Sequence, residues 1–198
     1  MVLTPDHKGW YHVGRLPHCD NPAVAQFITF RLADALPVKT QRSLEQELRL
    51  LPENTREQKR RQRIEFWLDQ GLGCCALQHA QVAQVMADGL MRWQNSRYRL
   101  LAWCIMPNHV HVLIEPHYSL SRIVQGWKGF TGRWVMLNSK TLGLRLPLGR
   151  LWMPGYWDRF IRDERHHLAV VDYIHSNPAK AGLCAAPEHW PWSSASRR

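Results

Sequence analysis

Two hydrophobic periods alternate along the chain, and their order outlines a fold. The stretch AVAQFITFRL, residues 23–32, is rich in β-formers and bounded by Pro22 and Pro37, which predicts a first strand. From Val38 to about Gln70 the period lengthens. Leu44, Leu48 and Leu51 share one helical face, Pro52 interrupts, and a second helix is expected after it. LGCC breaks the pattern before another helix, roughly Ala80 to Gln94. YRLLAWCIM and HVHVLIE return to strand character on either side of Pro107-Asn108. Proline presets φ for one turn position and asparagine suits the next, so the pair predicts a hairpin. Ser119 is placed to cap a helix with apolar residues at Leu120, Ile123, Val124, Trp127, Phe130, Trp134 and Leu137. Gly126, Gly129 and Gly132 recur three apart on it, a spacing that lets another element, or a phosphate, approach the backbone closely. YWDRFIR (156–162) alternates as a fourth strand, and DERHHLAVVDYIHSN reads as a helix halted by Pro178.

The order is strand, helices, strand, strand, helix, strand, helix. It predicts an α+β, ferredoxin-like (split β-α-β) antiparallel sheet of four strands, with helices on one face and an added C-terminal helix. The first and third strands are central in that topology, and the third carries HVHVLIE. The length of 198 residues suits one domain. Around the core we expect an irregular arm at 1–23, a helical insertion at 38–94 and an irregular basic, Trp-containing tail at 183–198.

Composition changes the picture in one respect. Apolar and charged contents of 45% and 21% are those of a folded protein, but Lys and Arg exceed Asp and Glu by 26 to 16. The net charge of +10 and a pI near 9.8 form the electrostatic footprint of a nucleic-acid partner. Ten tryptophans add stacking surface for single strands, although most are expected in the core. The basic run REQKRRQR (56–63) is expected to be a solvated helix face. Five cysteines without C-x-x-C spacing suggest neither a disulfide framework nor a zinc knuckle, and fit reduced thiols in the cytoplasm. No apolar run is long enough to cross a membrane, and no signal-like segment follows Met1.

The candidate chemistry starts at His109 and His111. Strand alternation puts both imidazoles on one face, with Cα atoms roughly 6.6 Å apart, and Val110, Val112 and Ile114 on the other. Two buried imidazoles each need a polar partner, and rings at that spacing can converge on one metal ion or one phosphate. The last helix offers Tyr173 and Asn177, four apart and therefore on one face. A divalent ion that polarises a phosphodiester compensates for a nucleophile with a pKa near about 10. An amide oxygen with imidazoles suits Mg²⁺ or Mn²⁺ better than a thiophilic metal. Glu115 shares the parity of the histidines. A histidine-triad nucleotide hydrolase would need a third histidine at position 113, where Leu113 stands. A ferredoxin-like platform that binds nucleic acid without catalysis remains the alternative reading.

Taken together, these segments resemble the REP-associated tyrosine transposases, a branch of the single-tyrosine HUH transposases and nucleases of bacteria. The resemblance rests on RLPHCDNPAVAQFITFRLADALP, YRLLAWCIMPNHVHVLIEP, LSRIVQGWKGFTG, LWMPGYWDRFIRDERHHLAVVDYIHSNPAKAGL and HWPWSS, with residues 38–94 least diagnostic. It implies that His109-Val110-His111 is the HUH motif, Tyr173 the nucleophile and Asn177 the third metal ligand. The implied activity is Mg²⁺- or Mn²⁺-dependent cleavage and rejoining of single-stranded DNA near imperfect palindromic hairpins, through a 5′-phosphotyrosine. The implied protein is cytoplasmic and nucleoid-associated, and a monomer more than an obligate dimer. Arg15, Arg31, Lys128, Arg133, Arg159 and Arg162 flank the expected site elements as DNA contacts, with Lys128 favoured near the scissile phosphate.

Overall fold

The computed structural model describes residues 7–13, 16–147 and 149–197. Its strands are β1 (Gly9–Val13), β2 (Leu16–Asp20), β3 (Gln26–Arg31), β4 (Tyr98–Ile105), β5 (His109–Pro116) and β6 (Trp157–Phe160). Its helices are α1 (Val38–Arg49), α2 (Glu53–Asp69), α3 (Ala80–Met91), α4 (Leu120–Asn138) and α5 (Glu164–Lys180), with short 3₁₀ turns between and after them. Strands β3 to β6 form one antiparallel sheet in the order β4-β5-β3-β6. This is the expected ferredoxin-like arrangement, with β3 and the histidine strand β5 at its centre.

Strand alternation divides the interior in two. Val110, Val112 and Ile114 of β5 join Ile28 and Phe30 of β3 in the larger core, which α3 covers with Val82, Ala83, Met86 and Leu90 and α4 with Ile123, Val124 and Trp127. Trp127 donates its indole N–H to the Tyr98 hydroxyl at 2.8 Å, and Tyr98 donates to the Leu90 carbonyl, so both of these polar groups are satisfied inside the core, while the Trp152 indole N–H is buried without a partner. The opposite face carries Phe27, Ala102, Cys104 and Leu113, against which α5 packs Val170 and Ile174. The last helix therefore lies on the face from which the two histidines project.

The structure corrects several expectations. The arm at 1–23 is not irregular where it is described: β1 and β2 pair as a hairpin, anchored by side chains at its end. The Asp158 carboxylate of β6 binds the His18 ring nitrogen and accepts from the Cys19 amide at 3.0 Å. Asp20 is fully buried and accepts from the Leu120 amide at 3.1 Å and the Ser119 hydroxyl at 3.2 Å. Ser119 stands at the N-cap of α4 but makes no capping bond of its own. A carboxylate brought in from the hairpin takes that place, and its charge suits the positive end of the helix dipole better than a hydroxyl does.

The insertion of 38–94 also divides. Helix α3 is the first crossover helix of the sheet, so only α1 and α2 are added to the basic topology. Pro178 does not halt α5. The helix runs on to Lys180, because a proline this close to the end removes a bond only from the final turn, where Ala181 donates to Asn177 O and Leu183 to Pro178 O. The tail is not merely irregular either. Ile105 donates to the Trp192 carbonyl at 2.8 Å, Trp103 N–H donates to Ser194 Oγ at 3.0 Å, and Trp190 Nε1 donates to Ile105 O at 2.9 Å. These bonds occupy the open edge of β4, an edge that would otherwise present unpaired strand groups.

Candidate active site

The hairpin between β4 and β5 sets the histidines. Asn108, in the turn, is fully buried and donates its side-chain N–H to the Leu72 carbonyl at 3.0 Å. Its other amide atom, the oxygen, faces His109 Nδ1 at 2.7 Å and can only accept. The His109 proton is thereby fixed on Nδ1, leaving Nε2 with a bare lone pair. His111 Nδ1 lies 2.8 Å from the Thr29 hydroxyl of the neighbouring central strand, directly across the register. The two Nε2 atoms face each other at 2.9 Å.

The Thr29 hydroxyl serves either tautomer of His111. When it donates, His111 keeps a proton on Nε2 and donates to His109. When it accepts, His111 carries its proton on Nδ1 and both Nε2 lone pairs point to the same place. Both rings are 1% exposed. Burial pushes their pKa values down, His109 well below the usual histidine range with further help from His111, and His111 to about 3. Both are neutral at physiological pH, the state in which imidazole is a ligand.

Helix α5 completes the constellation. The Tyr173 ring lies 5.3 Å from His111 and 5.9 Å from Phe27, centroid to centroid, and its hydroxyl is buried. Burial raises the phenol above its ordinary pKa; Glu65 and Asp69 push it further up, and the Asn177 side chain opposes them. Asn177, one turn on and 2% exposed, brings its amide to 3.5 Å from His111 Nε2. Its Oδ1 is buried without a hydrogen bond. Rotation of the amide by 180° exchanges nitrogen for oxygen beside the imidazole. Among the described residues no three His, Cys, Asp or Glu side chains form a metal cluster by themselves. The fit to a hard divalent ion therefore rests on the mixed set of two neutral imidazoles and an orphaned amide oxygen.

The structure brings His109, His111, Tyr173 and Asn177 together. The expected DNA contacts separate into groups. Arg31 is the register partner of His109 and so shares its face; burial lowers the pKa of its guanidinium, and no ion pair to it occurs among the described residues. Arg159 pairs in register with Phe27 on that face, and its charge feels those of Arg162 and Arg61. Lys128 and Arg133 belong to α4, which covers the other face of the sheet. Lys128 Nζ is held by the carbonyls of Met153 at 2.7 Å and Gly155 at 2.6 Å, and burial lowers its pKa to about 8. Arg15 lies outside the described residues. Glu115 is turned to Arg99, at 2.7 Å, and away from the site.

Sequence reading missed the contribution of α2. Arg61 lies over the Trp157 ring at 5.1 Å, Glu65 and Asp69 act on Tyr173, and Asp69 Oδ1 reaches to 4.0 Å from His109 Nε2. A cavity of about 220 Å³ between α2 and the sheet is lined by Thr29, Arg31, Arg60, Arg61, Tyr156 and Trp157. The signal, basic residues interleaved with acids on a helix next to LDQG, looks like any solvated face.

The family profile described as "Transposase IS200 like" matches residues 79–177 of the chain. The chain belongs to this transposase family. The match begins just before α3 and ends on Asn177, so it contains both histidines, the tyrosine and the asparagine and leaves out α1 and α2. Among curated relatives, the REP-associated tyrosine transposase of Escherichia coli (strain K12) is 29% identical over 115 residues, covering 56% of this chain and 63% of that protein. A putative REP-associated tyrosine transposase of Haemophilus influenzae is 29% identical over 105 residues, covering 49% and 58%. The chain thus spans about six tenths of the length of these relatives. A solved structure of a REP-associated tyrosine transposase bound to a REP hairpin superposes with a TM-score of 0.53 at 18% identity, over 88% of this chain and 78% of that one. For this IS200-like transposase, that likeness bears on the fold.

Proposed function

We propose that this protein cleaves and rejoins single-stranded DNA beside imperfect palindromic hairpins, with Tyr173 as nucleophile and His109, His111 and Asn177 as ligands of a Mg²⁺ or Mn²⁺ ion. The observation that carries the proposal is the convergence of two neutral imidazoles with facing Nε2 atoms, an orphaned amide oxygen and a buried phenol on one face of the sheet. A structural histidine pair would not need a tyrosine and an asparagine delivered by a separate helix. The relatives named for REP association, one of them solved on a REP hairpin, support a hairpin-bearing single strand as the substrate.

In the proposed step the Tyr173 oxygen attacks phosphorus, the bond from phosphorus to the 3′-oxygen breaks, and a 3′-hydroxyl leaves. The new phosphotyrosine holds the 5′-phosphate, and attack by a 3′-hydroxyl on it reverses the step. One phosphoester is exchanged for another, so no nucleotide cofactor is needed. A divalent ion bound by the ligands would neutralise and polarise the scissile phosphate. The phenol proton must leave as attack proceeds, and Glu65 and Asp69 are the carboxylates whose charges bear on Tyr173. Phe27 stacks on His111 at 5.5 Å and, with Ile174 beneath, keeps one side of the site apolar. Arg31, across from His109, is suited to the phosphate; Arg61, Arg159 and Arg162 form a positive rim for the strand on either side.

The test is incubation of the protein with a labelled palindromic single strand and Mn²⁺, followed by denaturing electrophoresis. A covalent protein–DNA adduct is expected in wild type and absent in Tyr173→Phe and His111→Ala, with hairpin binding retained in Tyr173→Phe. Binding without an adduct on any hairpin-flanked substrate would overturn the enzymatic reading in favour of a binding platform.

A further inference from the structure

Of the three glycines spaced along α4, only one is covered by another part of the chain. A side chain at Gly132 would meet the Trp152 ring, Cδ1 at 3.4 Å and Nε1 at 3.7 Å. At Gly126 and Gly129 a side chain would meet nothing within 4 Å. Gly132 therefore admits a neighbouring element, while Gly126 and Gly129 leave the helix backbone uncovered by any described residue.

Gly129 and Gly132 line an open recess of about 560 Å³ between α4 and the segment 149–156. Lys128, Arg133 and Arg150 line it as well, and no acidic residue does. Arg133 and Arg150 are exposed, and neither has an ion pair among the described residues. Lys128 is tethered to the Met153 and Gly155 carbonyls, so its charge stands at a fixed place in the wall. Trp152, 7% exposed, adds a buried indole N–H that has no acceptor among the described residues. Three cations, no acid and an unsatisfied donor fit an anion that brings its own acceptors.

The aromatic residues of the recess offer little face for stacking. Trp152 is packed edge-on to Phe30 at 5.0 Å, and Tyr156 lies against His18 with its hydroxyl 2.9 Å from that of Tyr11. Such a surface suits a backbone whose bases are already stacked on one another, as in a duplex, better than a single strand held through its bases. The cavity beside α2 has the converse character, with Trp157 under Arg61. Gly155 and Tyr156 line both cavities, and Thr29 of the α2 cavity meets His111 at 2.8 Å. We propose that the α4 recess docks the duplex stem of the DNA hairpin, with Arg133 and Arg150 on its phosphates. The unpaired strand at the foot of the stem then passes Gly155 and Tyr156 to the α2 cavity and the proposed nucleophile. This rests on the hairpin reading above and deepens it, because it separates a stem site on α4 from the strand path on the sheet. Phosphate contacts fix register without reading bases, so the stem site sets the spacing from hairpin to cut.

The test is fluorescence anisotropy of the Tyr173→Phe protein, the parent here, with two labelled strands of equal length. One forms the hairpin; in the other, one arm is scrambled so that it stays single. Gly129→Leu fills the open helix face without changing charge, and Arg133→Ala/Arg150→Ala removes the free cations. Each is expected to weaken hairpin binding by about tenfold or more and scrambled-strand binding by less than about twofold. For the arginine pair, the slope of log affinity against log salt on the hairpin should become shallower by about 2. If either variant, folded by circular dichroism, binds the hairpin within twofold of the parent, or loses both strands alike, the recess is not the stem site and the hairpin reading stands without it. If the parent binds the scrambled strand as tightly as the hairpin, the hairpin reading and this inference fall together.

Discussion

The ring of Tyr173 on α5 lies 5.3 Å from the ring of His111 on β5, although 62 positions separate them in the chain (173 − 111). The contact is made across the smaller of the two cores, where Ile174 and Val170 seat the helix on Phe27, Cys104 and Leu113. Anything that loosens this seating moves the proposed nucleophile away from the proposed ligands. Substitution of Ile174 by alanine should cost about 2–5 kcal/mol of stability. It should also slow adduct formation by more than the unfolded fraction explains, as measured by denaturant titration beside the electrophoretic assay.

Arg31 and Lys128 make opposite predictions. Arg31→Ala removes a guanidinium across from His109 and should reduce the adduct rate by about 10²-fold, with hairpin affinity falling less. Lys128→Ala leaves the Met153 and Gly155 carbonyls without their donor and should cost about 1–3 kcal/mol of stability with little change in adduct rate. Parallel unfolding and single-turnover measurements on both variants decide whether the phosphate is handled at Arg31 or at Lys128.

The buried histidines impose a pH dependence on stability. Their pKa values are lower folded than unfolded, so below about 6.5 the unfolded chain takes up protons that the folded one does not. Stability contributed by neutral burial should be complete above that pH. It should fall by up to about 1.4 kcal/mol per pH unit per ring as pH drops towards 4. Asp69, held up at about 6 by burial, works in the opposite sense between 3.8 and that value. The histidine contribution is therefore read as the difference between wild type and the His109→Gln/His111→Gln double variant in chelator. Equal slopes for the two proteins would contradict burial of the neutral rings.

Asp20 ties the N-terminal hairpin to the helix that follows β5. Asp20→Ala leaves the Leu120 amide uncapped and the Ser119 hydroxyl and His7 ring without their acceptor. A loss of about 2–4 kcal/mol is expected in guanidinium unfolding. Asp20→Asn should recover part of it by keeping an acceptor. If both variants unfold like wild type, the hairpin does not cap α4 energetically.

Binding of a palindromic single strand should weaken linearly in log affinity against log salt, with a slope that reports the phosphates neutralised. The Arg61→Ala/Arg159→Ala/Arg162→Ala variant should have a shallower slope than wild type, because those charges crowd one another at the rim without enough acidic partners. An unchanged slope would remove the rim from the DNA path.

Much of this architecture follows from local pattern. Period-two alternation in HVHVLIE fixed which side chains of β5 share a face, because a strand cannot turn one residue without turning all of them. Spacing of four placed Tyr173 and Asn177 on one side of α5, and the strand and helix order admitted few topologies. Local rules failed where a distant group outcompeted a near one. Ser119 was the obvious cap of α4 until the hairpin delivered Asp20, and Pro178 was the obvious stop of α5 until its place in the last turn made it harmless. The tail looked unstructured because its pairing is with β4, about 90 positions away, and no local period records that.

The sequence by itself determined the strands and helices of the central sheet and the chemical identity of the four converging side chains, since each depends on neighbours within a few residues, while the β1–β2 hairpin left no such local mark. Only the tertiary structure decided the distances between them and the fixed proton of His109. It alone also decided the approach of Asp69 and Arg61 from α2. Those depend on how helices seat on a sheet and on which carbonyl a single buried asparagine finds, and packing of that kind is set by shape complementarity between segments remote in the chain.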